Sequence, residues 1–180
     1  MTTTNNSTPS PQGALIEIGT KIPDATLYES KAFGDACPLS PEKVSVAEGT
    51  KGKKIVIFGL PGAYTPTCSA QHVPGYVKEL GALQAKGVDE VWCVSVNDGF
   101  VMAAWGKELG AFGKLRLLGD GSAELAKKLG LDKDLTPYGM GVRMNRFSML
   151  VEDGVVKRVN VEAPGKFEVS DATTMLGQLG

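Results

Sequence analysis

The run Lys54-Ile-Val-Ile-Phe-Gly-Leu60 constrains the fold more than any other stretch of the chain. It is continuous, apolar and rich in β-branched residues, as expected of a strand covered on both faces. Beyond it, Val73, Tyr76, Val77, Leu80 and Leu83 recur with the period of a helix, predicted over roughly Thr67 to Lys86. A second buried run, Glu90-Val-Trp-Cys-Val-Ser-Val96, follows. Strand, helix and strand in this order make a βαβ unit with a parallel pair and a right-handed crossover.

Further elements extend that unit. Lys114-Leu-Arg-Leu-Leu118 reads as a third strand, with helices over about Phe100 to Leu109 and Ser122 to Leu129, the latter stopped by Gly130. Arg146-Phe-Ser-Met-Leu-Val151 and Val155 to Val161 flank Asp153-Gly154, a strong hairpin signal. Ser170 and Asp171 can cap a closing helix. These elements describe an α/β, thioredoxin-like three-layer sandwich: a mixed central sheet flanked by helices. The reading makes Met1 to Gly13 a flexible tail, residues 14–180 one domain, and residues 31–50 a surface insertion, because Gly34, Pro38 and Pro41 interrupt any period.

Totals exclude several functions. A formal net charge of −1 gives no electrostatic basis for binding nucleic acid or an anionic membrane. No apolar run approaches the roughly 20 residues that span a bilayer, and the N-terminus has neither the basic start nor the apolar stretch of a secretory signal. Three cysteines, Cys37, Cys68 and Cys93, without a CxxC pair, do not make a disulfide scaffold. With His72 the only histidine, a Cys/His zinc site has poor raw material. A reducing compartment fits best.

The segment Pro61-Gly-Ala-Tyr-Thr-Pro-Thr-Cys68 lies directly after the first central strand and directly before its helix. Unpaired N–H groups and the positive end of the helix dipole favour an anion there, so Cys68 is well placed to react as thiolate. A dithiol oxidoreductase would carry a second cysteine at position 65, where this chain has Thr65. A lone thiolate that attacks a peroxide becomes a sulfenic acid and needs donors aimed at the peroxide oxygens. The Thr65 hydroxyl, one turn away, is one candidate donor. Pro61, lacking an N–H, would narrow the pocket. His72 lies four residues after Cys68, yet as a lone histidine it reads as a surface or interface residue.

PGAYTPTC resembles the P-x-x-x-T-x-x-C signature of the peroxiredoxins. Val91-Trp-Cys-Val-Ser-Val-Asn-Asp98 and Arg146-Phe-Ser-Met-Leu-Val-Glu-Asp-Gly154 resemble their type II (atypical) subgroup, with bacterial and plant members most similar. The resemblance implies Cys68 as the peroxidatic cysteine, Thr65 as the hydroxyl donor and Pro61 as the shielding proline. It also implies a strand-borne arginine, matched by Arg146, with Arg143 the rival. The spacing of Cys93 from Cys68 resembles that of members in which the second cysteine resolves the sulfenic acid, so that role stays open. Cys37 reads as an incidental loop cysteine.

The resemblance further implies reduction by glutathione or glutaredoxin rather than thioredoxin, a homodimer, and no metal, flavin or haem. Tyr76, Trp105 and Phe112 are candidates for an apolar contact patch. Two alternatives use the same fold: a thiol–disulfide oxidoreductase, against which Thr65 speaks, and a non-enzymatic binding or holdase module.

Overall fold

The structure is a computed structural model that describes residues 13–180. The tail expected over Met1 to Gly13 lies outside the described residues except for Gly13. In chain order come β1 (Thr26–Glu29), β2 (Glu42–Ser45), α1 (Val46–Thr50) and β3 (Lys54–Leu60). A π-helical turn over Cys68–His72 leads into α2 (Val73–Ala85), β4 (Glu90–Ser95), α3 (Gly99–Glu108) and β5 (Arg116–Gly119). The chain continues through α4 (Glu124–Lys128), β6 (Asp132–Asp134), β7 (Val142–Met144), β8 (Phe147–Glu152), β9 (Val155–Val161) and α5 (Ala172–Gln178).

Seven strands form one sheet in the order β2-β1-β5-β4-β3-β8-β9, while β6 and β7 pair separately. The central pairs β3/β4 and β4/β5 are parallel, and β8 lies antiparallel against β3. The mixed, helix-flanked sheet therefore matches the sandwich read from the sequence. Among the described residues no helix is long and apolar enough to cross a membrane.

The buried runs divide between two cores by the two-residue period of a strand. On one face Ile55, Ile57, Trp92, Val94, Phe147 and Met149 pack with Val46 of α1 and Leu125 of α4. On the other, Val56, Phe58, Leu60, Val91 and Cys93 pack with Tyr76 of α2, Trp105 of α3 and Met175 of α5. Both faces of β3 are thus sealed, as its composition demands.

Three local differences from the sequence reading have physical causes. Residues 42–50, placed in a surface insertion, instead supply β2, which pairs with β1, and α1, whose Val46 and Thr50 are buried. The expected helix from Thr67 is not uniform. Pro74 has no N–H to donate to the carbonyl four residues back, and its ring crowds that carbonyl. The backbone widens to a π turn, in which the Val73 N–H bonds to the Cys68 carbonyl, before α2 proceeds. Tyr76 and Trp105, candidates for an exposed patch, are fully covered, since both point from their helices into the core.

Gly59 marks where packing leaves no room at all. A Cβ there would overlap the Phe147 ring and the Met144 sulfur. Gly59→Ala is therefore expected to lower unfolding stability by about 1–3 kcal/mol, the usual cost of overpacking a core. The denaturant midpoint measured against the parent checks this, and an unchanged midpoint would contradict the packing described.

Candidate functional site

Cys68 sits at the carboxyl end of the parallel strands, where open α/β sheets bind ligands. The loop that delivers it is tightly tied. The Thr65 N–H and its hydroxyl both donate to the Gly62 carbonyl, at 3.3 and 2.7 Å, and the Ser69 N–H donates to the Thr65 carbonyl at 3.0 Å. Tyr64 takes a left-handed φ of 64°, an uncommon conformation for a non-glycine residue that the surrounding bonds hold in place. From the end of β4, Asn97 Oδ1 accepts the Ala63 N–H at 3.0 Å. From α3, Trp105 Nε1 donates to Ser69 Oγ at 3.0 Å. Strand, helix and loop are thereby locked together around one sulfur.

Arg146 reaches that sulfur. Its Nη2 donates to Cys68 Sγ at 3.1 Å and its Nη1 to His72 Nδ1 at 2.9 Å. A guanidinium can only donate, so Nδ1 must be the unprotonated nitrogen. The remaining nitrogen, Nε2, then carries the proton and donates to the Ser170 carbonyl at 3.1 Å. Burial, reinforced by the Arg146 charge, lowers the His72 pKa to about 3, consistent with this neutral tautomer. The Tyr76 hydroxyl donates to the same carbonyl at 2.9 Å.

The relay ends on a second anchor. Glu162 Oε1 accepts the backbone N–H groups of Glu168, Val169 and Ser170 and the Ser170 hydroxyl, all within 2.7–2.9 Å. Burial alone would raise the Glu162 pKa, but these donors outweigh it and hold the carboxylate below its ordinary range. The fixed segment carries the Ser170 carbonyl to His72. It also carries Phe167, whose ring centre lies 5.0 Å from that of His72 and 5.7 Å from the Arg146 guanidinium carbon.

Of the residues singled out from the sequence, Arg146 and Cys68 are in direct contact, while Pro61 and Thr65 lie in the loop that leads to Cys68. Arg143, the rival, bonds elsewhere. It donates to the Met140 carbonyl at 2.9 Å and the Pro61 carbonyl at 3.3 Å, bracing the loop from outside. His72 is the correction: it is wholly buried in the site rather than on a surface or interface. Its spacing of four residues from Cys68 was the available signal. Glu162 and Ser170 had none, because their roles depend on contacts across the fold.

Cys93 lies mid-strand in the same core as Cys68, fully covered, and burial followed by the neighbouring Cys68 charge pushes its thiol well above the ordinary range. Cys37 is exposed, and all three cysteines are unbridged.

Comparison with known proteins bears on this arrangement. The redoxin family model matches residues 17–176. Chloroplastic peroxiredoxin-2E of Arabidopsis thaliana is 46% identical over 98% of this chain and 75% of its own length. Chloroplastic peroxiredoxin-2E-2 of Oryza sativa subsp. japonica is 49% identical over 92% of this chain and 73% of its own. The crystal structure of reduced Prx3 from Vibrio vulnificus in complex with hydrogen peroxide superposes with a TM-score of 0.84. It is 43% identical and covers 92% of this chain and 100% of that one. With a redoxin match running from before β1 into α5, and with relatives this similar, the chain belongs to the thiol peroxidases known as peroxiredoxins, in their type II group.

Proposed function

We propose that this chain reduces hydrogen peroxide and organic hydroperoxides at Cys68 and is regenerated by glutathione, alone or with glutaredoxin. The observation that carries the reading is the Arg146 guanidinium 3.1 Å from Cys68 Sγ, a cationic double donor beside a sulfur at a strand-to-helix junction. The Vibrio vulnificus relative, solved with hydrogen peroxide, supports the substrate class.

The Cys68 thiolate attacks one peroxide oxygen, and a sulfur–oxygen bond forms as the oxygen–oxygen bond breaks. Cys68 is left as sulfenic acid. The departing oxygen carries the negative charge until it takes a proton and leaves as water or alcohol. Arg146 and the Cys68 backbone N–H stabilise that oxygen. Thr65 acts differently from the donor role first expected. Its proton is committed to the Gly62 carbonyl, so toward a peroxide O–H it offers lone pairs. Pro61 begins the loop that carries Thr65 and Cys68, and with Arg146 it lines the neighbouring cavity.

Resolution falls to an outside thiol. Cys93 is held mid-strand with bonded neighbours on both sides, and reaching Cys68 would require opening the sheet. A dithiol-exchange activity finds no second cysteine at Thr65. A holdase would have no use for the Arg146–Cys68 contact. Homodimerisation is proposed through the half-exposed rings of Tyr28 and Phe100, which line one groove with Pro41. The cytoplasm, being reducing, would keep the exposed Cys37 as a thiol.

Peroxide consumption with glutathione tests the central claim. Cys68→Ser is expected to abolish it and Cys93→Ser to retain turnover. A Cys93→Ser variant that reacts once and then stops would transfer the resolving role to Cys93, and activity in Cys68→Ser would overturn the reading.

His72→Gln is expected to slow the peroxide step about tenfold, the equivalent of one well-placed hydrogen bond. Arg146→Leu should cost about 10²–10³. Stopped-flow oxidation of the reduced protein measures both.

The same histidine sets a pH dependence. In the folded chain His72 stays neutral down to about pH 3, whereas unfolded it protonates near 6.5. Its contribution to stability is complete above about pH 6.5 and is lost as pH falls from there toward 3. Carboxylates held below their ordinary range, Glu162 among them, also lose stability in acid, so the difference between parent and His72→Gln unfolding curves isolates the histidine. Parallel curves across that window would contradict the assignment.

A further inference from the structure

A cavity of about 170 Å³ opens against the flank of the cysteine site, bounded by Pro61, Thr67, Lys133, Arg146, Glu162 and Lys166 among others. Three of these also shape the surroundings of Cys68: Pro61 begins its loop, Thr67 precedes it and Arg146 bonds its sulfur. Cavities elsewhere, against Glu29 and Arg116 or beneath Tyr28 and Phe100, share no residue with that site.

The cavity's charge is lopsided. Lys133, Arg146 and Lys166 face a single carboxylate, Glu162, whose Oε1 is already saturated by four donors. Arg146 is committed to Cys68 and His72. That leaves the two lysines to meet a ligand. Lys166 approaches Glu168 at 3.9 Å, but both side chains are more than half exposed and such pairs are weak. Lys133 arrives from the separate β6/β7 ribbon, and Lys166 from the turn closed by its own N–H on the Ala163 carbonyl at 3.0 Å. Two unrelated elements thus bring cations to one opening, which is also lined by the arginine that bonds the reactive sulfur.

We propose that this cavity holds one carboxylate arm of the thiol that reduces oxidised Cys68. The inference rests on the reading that an outside thiol resolves the sulfenic acid. The volume falls below the roughly 300–1,000 Å³ of pockets that enclose whole drug-sized ligands, so it fits an arm of a peptide thiol rather than the entire molecule. A carboxylate on Lys133 and Lys166 sets the thiol sulfur toward Cys68. The thiol sulfur attacks the sulfenic sulfur, a sulfur–sulfur bond forms and the sulfur–oxygen bond breaks. The oxygen leaves as water with the thiol's proton. A second thiol then attacks the mixed disulfide, releasing the disulfide of the small thiol and returning Cys68 to its reduced state. Glutathione, with two carboxylates, is the fitting class, whereas an uncharged thiol such as 2-mercaptoethanol gains nothing from the lysines.

The test starts from protein oxidised with one equivalent of hydrogen peroxide and follows mixed-disulfide formation by quenched-flow mass spectrometry. Glutathione and 2-mercaptoethanol are compared in the parent, in Lys133→Gln, in Lys166→Gln and in the double variant. The ratio of the glutathione rate to the mercaptoethanol rate is expected to fall about threefold in each single variant and about tenfold in the double, the scale of exposed charge contacts. Raising ionic strength should lower the glutathione rate selectively. Lys51→Gln, exposed and lining a separate cavity that shares no residue with this one, serves as the charge control and should leave the ratio unchanged. If the parent reacts with glutathione but the lysine variants keep its ratio, the subsite is overturned while the reductant stands. If the parent reacts with mercaptoethanol and not with glutathione, the proposed reductant fails and the subsite with it.

Discussion

One guanidinium organises this molecule. Arg146 stands between a sulfur and an imidazole, donating to both, and each partner is a group whose state the arrangement dictates. His72 must be neutral with its proton on the far nitrogen, because the near one meets a guanidinium, which can only donate. That proton needs an acceptor, which is the Ser170 carbonyl, and Ser170 needs an anchor, which is Glu162. Remove the buried carboxylate and the segment that orients the histidine is no longer fixed. The reactive sulfur thus depends on a residue on the far side of a five-member chain of contacts, and an error at any member is transmitted to Cys68.

The sheet makes that chain possible. Arg146 immediately precedes β8, which runs antiparallel beside β3, and β3 ends at Leu60 just before Pro61. The arginine and the cysteine loop therefore come from neighbouring strand ends, 78 positions apart in sequence yet adjacent in space. Close approach of the two strands is set on the opposite face by Gly59, whose missing side chain admits Phe147. Packing beneath the sheet and chemistry above it share the same two strands.

How much of this was legible beforehand follows from range. The strand Lys54 to Leu60, the period of Val73 to Leu83 and the turn at Asp153-Gly154 are local patterns, and they yielded the sandwich and the junction that bears Cys68. Thr65, Pro61 and Arg146 came from motif position and resemblance. What stayed hidden was whatever a local pattern cannot report. Residues 42–50 read as irregular because a short edge strand has only one neighbour to shape its composition. His72 read as a surface residue because nothing nearby in sequence foretells the carbonyl and guanidinium that satisfy it. Trp105 and Tyr76 read as contact rings, yet each carries a polar tip that finds its partner inside, on Ser69 and Ser170.

The π turn at Cys68–His72 has a geometric meaning beyond the strain of Pro74. A helix advances about 100° per residue, and a π turn holds one residue more than the α-helical turn it replaces. Relative to the axis of α2, Cys68 therefore occupies an angular position that an unbroken α-helix would have assigned to a different residue. The direction in which the sulfur points is a matter of count: deleting one residue between Ser69 and Gln71 would let the turn close as an ordinary helix. The thiol would then swing by roughly a quarter of a revolution, away from the arginine that faces it. Aim, in this molecule, is set by an integer.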